Sequence, residues 1–357
     1  MPESSLDGPE LYARIDPEGL RDRIAGLPAQ IDEAWTAASA LELPTDYRSA
    51  ERIVVLGMGG SGIGGSLLRA LALDIGAKTP VTVVRGYRLP AWVDSRTLVL
   101  ASSNSGNTEE IVASFEQAIA AGAKCIVLAS GGRMLEIAAS SDVPALNVRW
   151  DGEPRAALGW SYVSLLAICR RLGLLPDQTD DLRVALVELR AYAGQLGIDV
   201  PEASNAAKQL ARRWYGKLIA IVGAEALAPV AYRWRTQINE NAKSWAIADE
   251  LPEMNHNAAL GFGAPAALVP MLHVVLLRHA AMHPRIRLRV DATLDELRMN
   301  AVAAEVIDVP GASVLAQQLC AVHLGDWASY YLGVLNGVNP SSMDALERLK
   351  DLLASKR

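Results

Sequence analysis

A short polar segment, residues 102–108 with the sequence SSNSGNT, directly follows an apolar run. The hydroxyl groups of Ser103, Ser105 and Thr108 can donate hydrogen bonds to phosphate oxygens, and a helix that begins beside them adds a favourable dipole. A helix-capping box, with its cap at Asn107 or Thr108, would need only one hydroxyl. Three hydroxyls on one short arc therefore predict a phosphate anchor.

A glycine-rich turn, residues 57–66, closes the first predicted strand and has six glycines in its first nine positions. Each glycine costs conformational entropy on folding, so this number favours a bound ligand over a plain tight turn. The G-x-G-x-x-G spacing from Gly57 matches the dinucleotide fingerprint, but Arg85 stands where that fingerprint places an acid. An arginine there leaves NADP open as a ligand. We expect phosphate contacts in this turn at Gly59 and Gly60.

Two candidate catalytic residues lie in the second half of the chain. Glu240 belongs to a polar run on a predicted helix, where a surface pair with Lys243 would also explain it. His256 stands between two asparagines in a loop bounded by prolines, although a single histidine is often only structural. We read the other four histidines as structural or surface residues: His273, His279, His283 and His323.

Two cations complete the set of candidates. Arg155 could stabilise developing negative charge, or it could simply pair with Asp151 or Glu153. Lys350 lies on a predicted amphipathic helix near the C-terminus, where a solvated lysine is the ordinary explanation.

Strands that alternate with helices must position these residues. The predicted strands of the first half are Arg52 to Leu56, Val81 to Val84, Thr97 to Ala101, Lys124 to Ala129 and Ala145 to Val148. Helices are predicted up to about Ala40, from Ser61 to Leu73 and from about Thr108 to Ala121. This alternation predicts a parallel, doubly wound sheet with helices on both faces. Loops after neighbouring parallel strands then converge at one edge.

The same pattern restarts in the second half and suggests an internal duplication. Predicted strands cover Leu218 to Gly223, Ala266 to Leu268 and Ala304 to Val309, with a helix from Leu227 to Ile247. We therefore expect an α/β protein with two doubly wound parallel-sheet domains and helical extensions at both ends. The predicted units are an N-terminal helical segment (1–45), a first domain carrying the phosphate loops (46–180), and a second domain supplying catalytic groups (181–357).

The composition of the chain argues against several classes of function. The chain has 357 residues, with 34 Lys+Arg against 40 Asp+Glu and no basic block, which argues against nucleic acid as a partner. Its three scattered cysteines fit neither a disulfide framework nor a zinc site and favour a reducing cytoplasm. The first residues lack a signal-peptide pattern, and the longest apolar stretch is too short to span a membrane. We expect no metal and no membrane partner.

Several motifs together resemble the sugar isomerase (SIS) family, and within it the bifunctional phosphoglucose/phosphomannose isomerases, which carry two SIS domains of flavodoxin-like type. The matching motifs occur in the family's order along nearly the whole chain. They are GMGGSG from Gly57, S-x-SGNT from Ser103, PRAALG from Pro154, NENAK from Asn239, NHN from Asn255 and LK from Leu349.

The resemblance implies a role for each matching residue. Ser61, Ser103, Ser105 and Thr108 would bind the 6-phosphate of a sugar. Glu240 would be the base that moves a proton between C2 and C1. The remaining implied roles are ring opening by His256 from a dimer partner, help in that step from Lys350, and stabilisation of the enediolate by Arg155. No cofactor is implied, and the expected assembly is a homodimer with shared active sites.

One alternative keeps the phosphosugar site without catalysis. Asn104 stands where the family usually has an aromatic residue, and Ala258 where it usually has an acid. A regulatory protein that binds sugar phosphates is therefore the second hypothesis, and an NADP-linked enzyme is the third.

Overall fold

The computed structural model describes residues 5–355. Its nine strands form two separate, wholly parallel sheets with the orders β2-β1-β3-β4-β5 and β7-β6-β8-β9. The strands are β1 (Arg52–Leu56), β2 (Val81–Val84), β3 (Thr97–Ser102), β4 (Lys124–Ala129), β5 (Ala145–Asn147), β6 (Leu218–Ala224), β7 (Ala246–Leu251), β8 (Leu272–Arg278) and β9 (Ala303–Asp308). The predicted α/β class with two doubly wound sheets is confirmed.

Helices surround both sheets and form the two extensions. In chain order they are α1 (Pro9–Ile15), α2 (Leu20–Ala25), α3 (Leu27–Ala40), α4 (Gly59–Asp74), α5 (Glu109–Ala120), α6 (Gly132–Ser140), α7 (Ser164–Arg171), α8 (Thr179–Ala193), α9 (Ala206–Trp214), α10 (Ala228–Ala242), α11 (Pro284–Met299), α12 (Val314–Leu335) and α13 (Asp344–Ala354). Along residues 5–355, none is both long and apolar enough to cross a bilayer.

The two sheets share one topology. In each, the first strand in sequence lies between the second and the third, so the chain reverses direction across the sheet beside β1 and again beside β6. The end of β1 is level with the end of β3, since Leu56 pairs with Ala101. In open α/β sheets, ligands bind in the crevice at this point of reversal, outside the carboxyl ends of the strands. The glycine-rich turn and the serine loop both lie there.

Helix α12 is the central packing element. Every one of its 22 residues is buried, and it packs against α8, α9 and α10. The sequence pattern does not predict this helix. A helix that is apolar on all sides lacks the one-sided periodicity of an amphipathic helix. Two polar side chains on α12, Asp326 and Ser329, are buried against α10.

Two predictions in the second half are wrong. The helix predicted to run to Ile247 ends at Ala242, and Lys243 adopts a left-handed conformation with φ 52°. The following residues form the edge strand β7, whose largely exposed side chains hid its strand character. Ala266 to Leu268, predicted as a strand, belong to a 3₁₀ helix, and the strand lies just after it as β8.

The glycines of α4 permit unusually close packing. A Cβ atom added to Gly64 would lie 1.8 Å from the carbonyl oxygen of Ser161, which belongs to a π-helical turn (Gly159–Val163). Part of the glycine excess that favoured a ligand therefore has a packing cause. This contact fixes α4, and with it the glycine-rich turn, against the segment that carries Arg155.

Changing Gly64→Ala is expected to lower the free energy of unfolding by at least ~3 kcal/mol, because rigid backbone blocks the added methyl group. Gly197→Ala is the matched control, since a Cβ atom there meets no atom within 4 Å. Urea denaturation followed by circular dichroism measures both variants. Equal stability of the two would contradict the packing explanation.

Candidate functional site

The serine loop joins β3 to α5 and is held by the loop after β4. The backbone oxygen of Asn104 accepts hydrogen bonds from the backbone nitrogen of Ser130 (2.9 Å) and from its hydroxyl (2.6 Å). The Oγ of Ser103 lies 2.9 Å from the Oγ1 of Thr108. Ser103 is buried, whereas Ser105 is exposed at the outer side of the loop. The loop is thus a rigid arc of hydroxyl groups.

The helix-capping explanation of this loop is wrong. Thr108 occupies the N-cap position of α5, but its hydroxyl contacts Ser103 and not the first turn of the helix. Asn107 instead accepts a hydrogen bond from the backbone nitrogen of Arg133 at 2.9 Å. Among the described residues, no side chain caps α5. The positive end of the α5 dipole therefore faces this loop without a capping side chain.

The glycine-rich turn lies beside the serine loop. Ser61 and Asn104, one from each loop, line the same small cavity of about 10 Å³ together with Ser161. Such a cavity holds at most about one water molecule. This cavity is too small for a phosphate group, and Gly59 on the turn is exposed to solvent.

Arg85 does not favour a dinucleotide. Its guanidinium donates to the carbonyl oxygen of Gly62 (3.2 Å) and to the hydroxyl of Ser66 (2.7 Å), and it stacks over the ring of Tyr232. These contacts tie the end of β2 to α4 and α10. The guanidinium is already engaged within the protein, whereas a nucleotide 2′-phosphate would need it free.

Arg155 connects the glycine-rich turn to the second half of the chain. A Cβ atom on Gly60 would lie 2.9 Å from the Cα of Arg155, so turn and arginine backbone are in direct contact. The side chain is 3% exposed, and its Nη1 lies 3.3 Å from Oε2 of Glu240. Burial lowers the pKa of this guanidinium, and the Glu240 carboxylate opposes the shift. The proposed pairing with Asp151 or Glu153 is wrong, since Glu153 binds Arg23.

Glu240 opens into a cavity of about 660 Å³ at the C-terminal end of α10. The cavity is also lined by three cations and by the start of α13. Its lining residues are Arg155, Asn239, Glu240, Lys243, Ser244, Trp245, Ser342, Met343, Asp344, Ala345, Leu346 and Arg348. A part-exposed carboxylate beside a buried guanidinium can exchange a proton with a bound molecule while the guanidinium stabilises negative charge.

Lys243 connects three backbone segments at the wall of this cavity. Its sequence setting does not predict this role. Its ammonium group donates to the carbonyl oxygens of Glu240, Pro340 and Ser342. The alternative explanation of Glu240, a surface pair with the side chain of Lys243, is therefore wrong, since Lys243 binds the backbone oxygen of Glu240. Burial lowers the pKa of Lys243, and the nearby Arg155 guanidinium lowers it further. No local sequence pattern predicts the left-handed backbone conformation of Lys243.

His256 does not lie near Glu240 within one chain. Glu240 precedes the start of β7, and His256 follows the end of this six-residue strand, which spans ~20 Å. The neighbouring Asn255 is fixed by Thr293 at 2.9 Å, and Asn257 by Glu253 at 2.8 Å. These bonds hold the loop while His256 itself is exposed.

Lys350 is also apart from the cavity in a single chain. It lies on α13, beyond the residues of this helix that line the cavity, and its side chain is exposed. The geometry of one chain therefore agrees with the ordinary explanation of a solvated lysine.

The other histidines and the cysteines have structural settings. His273 pairs with Glu305 at 2.8 Å, His283 caps α11, and His279 and His323 are buried. Cys125, Cys169 and Cys320 are buried and unpaired. Within residues 5–355, no three His, Cys, Asp or Glu side chains converge as metal ligands would.

Comparison with known proteins decides the family. Residues 203–353 match the model of the bacterial phospho-glucose isomerase C-terminal SIS domain. A bifunctional phosphoglucose/phosphomannose isomerase from Caldicellulosiruptor bescii is 36% identical over 334 residues, which are 93% of this chain and 98% of that protein. The chain belongs to the bifunctional phosphoglucose/phosphomannose isomerase family. The resemblance predicted from the motifs is confirmed.

Two further proteins share sequence or fold with this chain. A D-glucosamine-6-phosphate 4-epimerase from Sulfolobus acidocaldarius is 34% identical over 226 residues, 63% of this chain and 68% of that protein. A solved structure of a hypothetical protein from Thermus thermophilus has a TM-score of 0.75 at 18% identity and covers 97% of this chain and 92% of its own. The second likeness supports the two-sheet fold alone.

Proposed function

We propose that this isomerase-family chain interconverts glucose 6-phosphate and mannose 6-phosphate with fructose 6-phosphate. The observation that carries the proposal is the contact between Arg155 and Glu240 beside the glycine-rich turn. The sugar phosphate group binds at Ser61, Ser103, Ser105 and Thr108, together with the backbone at Gly59 and Gly60. One arginine side chain then separates the turn from Glu240, so the reacting carbons of a hexose can reach the carboxylate.

In the proposed mechanism, Glu240 is the base. Its carboxylate removes the proton from C2 of the aldose, the electron pair forms the C1–C2 double bond, and the carbonyl oxygen at C1 becomes an oxyanion. Arg155 stabilises that oxyanion. As the ketose forms, a proton moves from the C2 hydroxyl to the oxygen on C1, the C2–O double bond forms, and Glu240 returns its proton to C1. The enediolate is planar at C2, so glucose and mannose epimers connect through the same intermediate.

We propose that ring opening depends on His256 of a second copy of the chain. The separation of His256 from Glu240 along β7 supports this arrangement, as do exposed apolar side chains at the cavity and in the loop after β7. Trp245 is 79% exposed and Leu260 is 93% exposed, and large exposed apolar side chains are typical of association surfaces. We propose a homodimer. The role of Lys350 in ring opening rests on the family resemblance alone.

The proposed activity has a direct assay. Purified protein given either aldose 6-phosphate, without added metal, should form fructose 6-phosphate. A coupled assay, in which a second enzyme converts fructose 6-phosphate and a dye is formed, measures the rate. Absence of turnover with both sugars would contradict the proposal.

The second candidate function, a non-catalytic phosphosugar-binding regulator, is favoured by Asn104. Its Oδ1 is buried between the two loops and has no hydrogen-bond partner among residues 5–355. A regulator would gain thermal stability with sugar phosphates and show no turnover. Proton NMR of glucosamine 6-phosphate incubated with the protein tests whether the epimerase reaction of the related protein occurs instead.

Removing one hydroxyl of the phosphate anchor should weaken binding more than catalysis. For Ser103→Ala, we expect KM for glucose 6-phosphate to rise about 10- to 100-fold, the value of one charge-assisted hydrogen bond. The turnover number should stay within about threefold, because the phosphate is bound equally before and during the reaction.

The control for the anchor is Ser140→Ala, whose hydroxyl donates only to the carbonyl oxygen of Ile137 on α6. Its KM should equal that of the wild type. An unchanged KM in Ser103→Ala would place the phosphate elsewhere.

A further inference from the structure

A buried polar network lies behind Arg155, between α10 and α12. Three residues on one face of α10, spaced four apart, take part: Arg233, Gln237 and Asn241. They meet Asp326 and Ser329 of α12, and all five are at most 5% exposed. The network contains an ion pair and two amides inside an otherwise apolar helix contact.

The bonds within this network are short and mutually supporting. Asp326 binds Arg233 through both carboxylate oxygens, at 3.1 Å to Nε and 2.7 Å to Nη2. Gln237 donates to Asp326 at 2.8 Å. Asn241 donates to the hydroxyl of Ser329 at 3.0 Å, and this hydroxyl donates to the carbonyl oxygen of Asp326 at 2.9 Å.

The network reaches Arg155 at two points. Nη2 of Arg233 donates to the carbonyl oxygen of Arg155 at 2.9 Å, which fixes its backbone. The Nε of Arg155 donates to Oδ1 of Asn241 at 2.7 Å, which fixes the plane of its guanidinium. In that plane Nη2 donates to the carbonyl oxygen of Pro340 at 2.6 Å, and Nη1 is left facing Glu240.

We infer that Asn241, supported by the Arg233–Asp326 pair, is a positioning residue that sets the orientation of Arg155 toward the reacting oxygen. The inference rests on the proposed function of Glu240 and Arg155. An arginine has several rotatable bonds, and only one guanidinium plane directs Nη1 at the carboxylate. The bonds from Nε to Asn241 and from Nη2 to Pro340 select that plane, and the bond from Arg233 fixes the backbone that carries the side chain.

Stability alone does not account for such a network. A buried ion pair loses hydration on folding, and well-packed apolar residues of similar volume are often equally stable or more stable. Burial raises the pKa of Asp326, while Arg233 lowers it, so the carboxylate depends on its partner. The gain from keeping these charges is a fixed geometry at Arg155.

A double-mutant cycle tests this inference. Asn241→Leu keeps the branching and the number of heavy atoms of asparagine and removes the acceptor for Nε, and Arg155→Lys removes Nε itself. We expect Asn241→Leu to lower kcat about 10- to 100-fold with KM within about threefold, as a small misplacement of a catalytic group does. In the Arg155→Lys background the same change should cost less than about twofold, because its target is gone.

Two variants provide checks. Asn241→Asp keeps an acceptor for Nε and should recover most of the lost kcat. Asn205→Ala removes a buried amide that caps α9 and binds the carbonyl oxygen of Gly197, and it should leave kcat unchanged. If Asn241→Leu does not fold, Asn241→Ser takes its place in the cycle.

The outcomes distinguish the positioning role of Asn241 from the proposed function. If the losses multiply in the double variant, or if Asn241→Leu keeps full kcat, the positioning role is contradicted while the proposed function stands. If the wild type shows no turnover, the proposed function fails and this inference fails with it.

Discussion

Replacing Glu240 by glutamine is expected to lower kcat for both aldose 6-phosphates by about 10²- to 10⁴-fold, the usual contribution of a positioned base. Glutamine keeps the size of the side chain and an oxygen that can accept from Arg155, so the cavity should keep its shape. The proposed phosphate site lies at the glycine-rich turn and the serine loop, away from Glu240, and KM should therefore change by only a few-fold. Steady-state rates in the coupled assay give both constants.

The matched control is Glu116→Gln, an exposed carboxylate on α5 that pairs with Arg133. It removes the same charge from a helix surface and should leave both constants unchanged. A Glu240→Gln variant with wild-type kcat would exclude Glu240 as the base and would require another proton acceptor in the cavity.

Mixing two inactive variants should restore activity. If each site combines Glu240 of one chain with His256 of the other, a hybrid of Glu240→Gln and His256→Ala chains contains one intact site and one doubly altered site. Each pure variant should have at most about a hundredth of wild-type kcat. Random exchange of subunits should then recover about a quarter of wild-type activity, because half of the dimers are hybrids.

The exchange needs a control for mere stabilisation. Mixing Glu240→Gln with Arg155→Ala affects two residues that contact each other within one chain, so no intact site forms and no activity should return. Recovery only in the first mixture would support a shared site. Failure of recovery, with hybrids shown by native mass spectrometry, would place His256 and Glu240 in the same chain and contradict the proposed dimer site.

Local patterns were sufficient to predict the first sheet. Its strands are short runs of mainly apolar residues, several of them β-branched, bounded by polar turns, and burial on both faces leaves little ambiguity. The glycine-rich turn and the serine loop follow from that sheet, because ends of neighbouring parallel strands share an edge. The position of both loops could therefore be predicted from the sequence, whereas their contacts could not.

The second sheet was harder to predict for a physical reason. Strand β7 is an edge strand with only its first and last residues buried, so its pattern resembles the end of the preceding helix. The region 266–271 is apolar but exposed or half-buried in a 3₁₀ helix, and a short apolar run cannot distinguish this from a strand.

The site itself depends on contacts between distant segments. Arg155 meets Glu240 and Pro340, which are 85 and 185 residues away in sequence, and no local pattern encodes those pairings. Only the family motifs indicated Arg155 and Glu240 together. The separation of His256 from Glu240 follows from the length of β7, which the sequence analysis had assigned partly to a helix.

The most direct measurement is proton NMR of fructose 6-phosphate incubated with the protein in D₂O. Transfer through an enediolate by a carboxylate base exposes the moving proton to solvent, so glucose 6-phosphate and mannose 6-phosphate should both appear with deuterium at C2. Their anomeric signals would then lose the coupling to H2. Formation of neither aldose, or of aldoses that carry only protium at C2 throughout the reaction, would contradict the proposed isomerase mechanism.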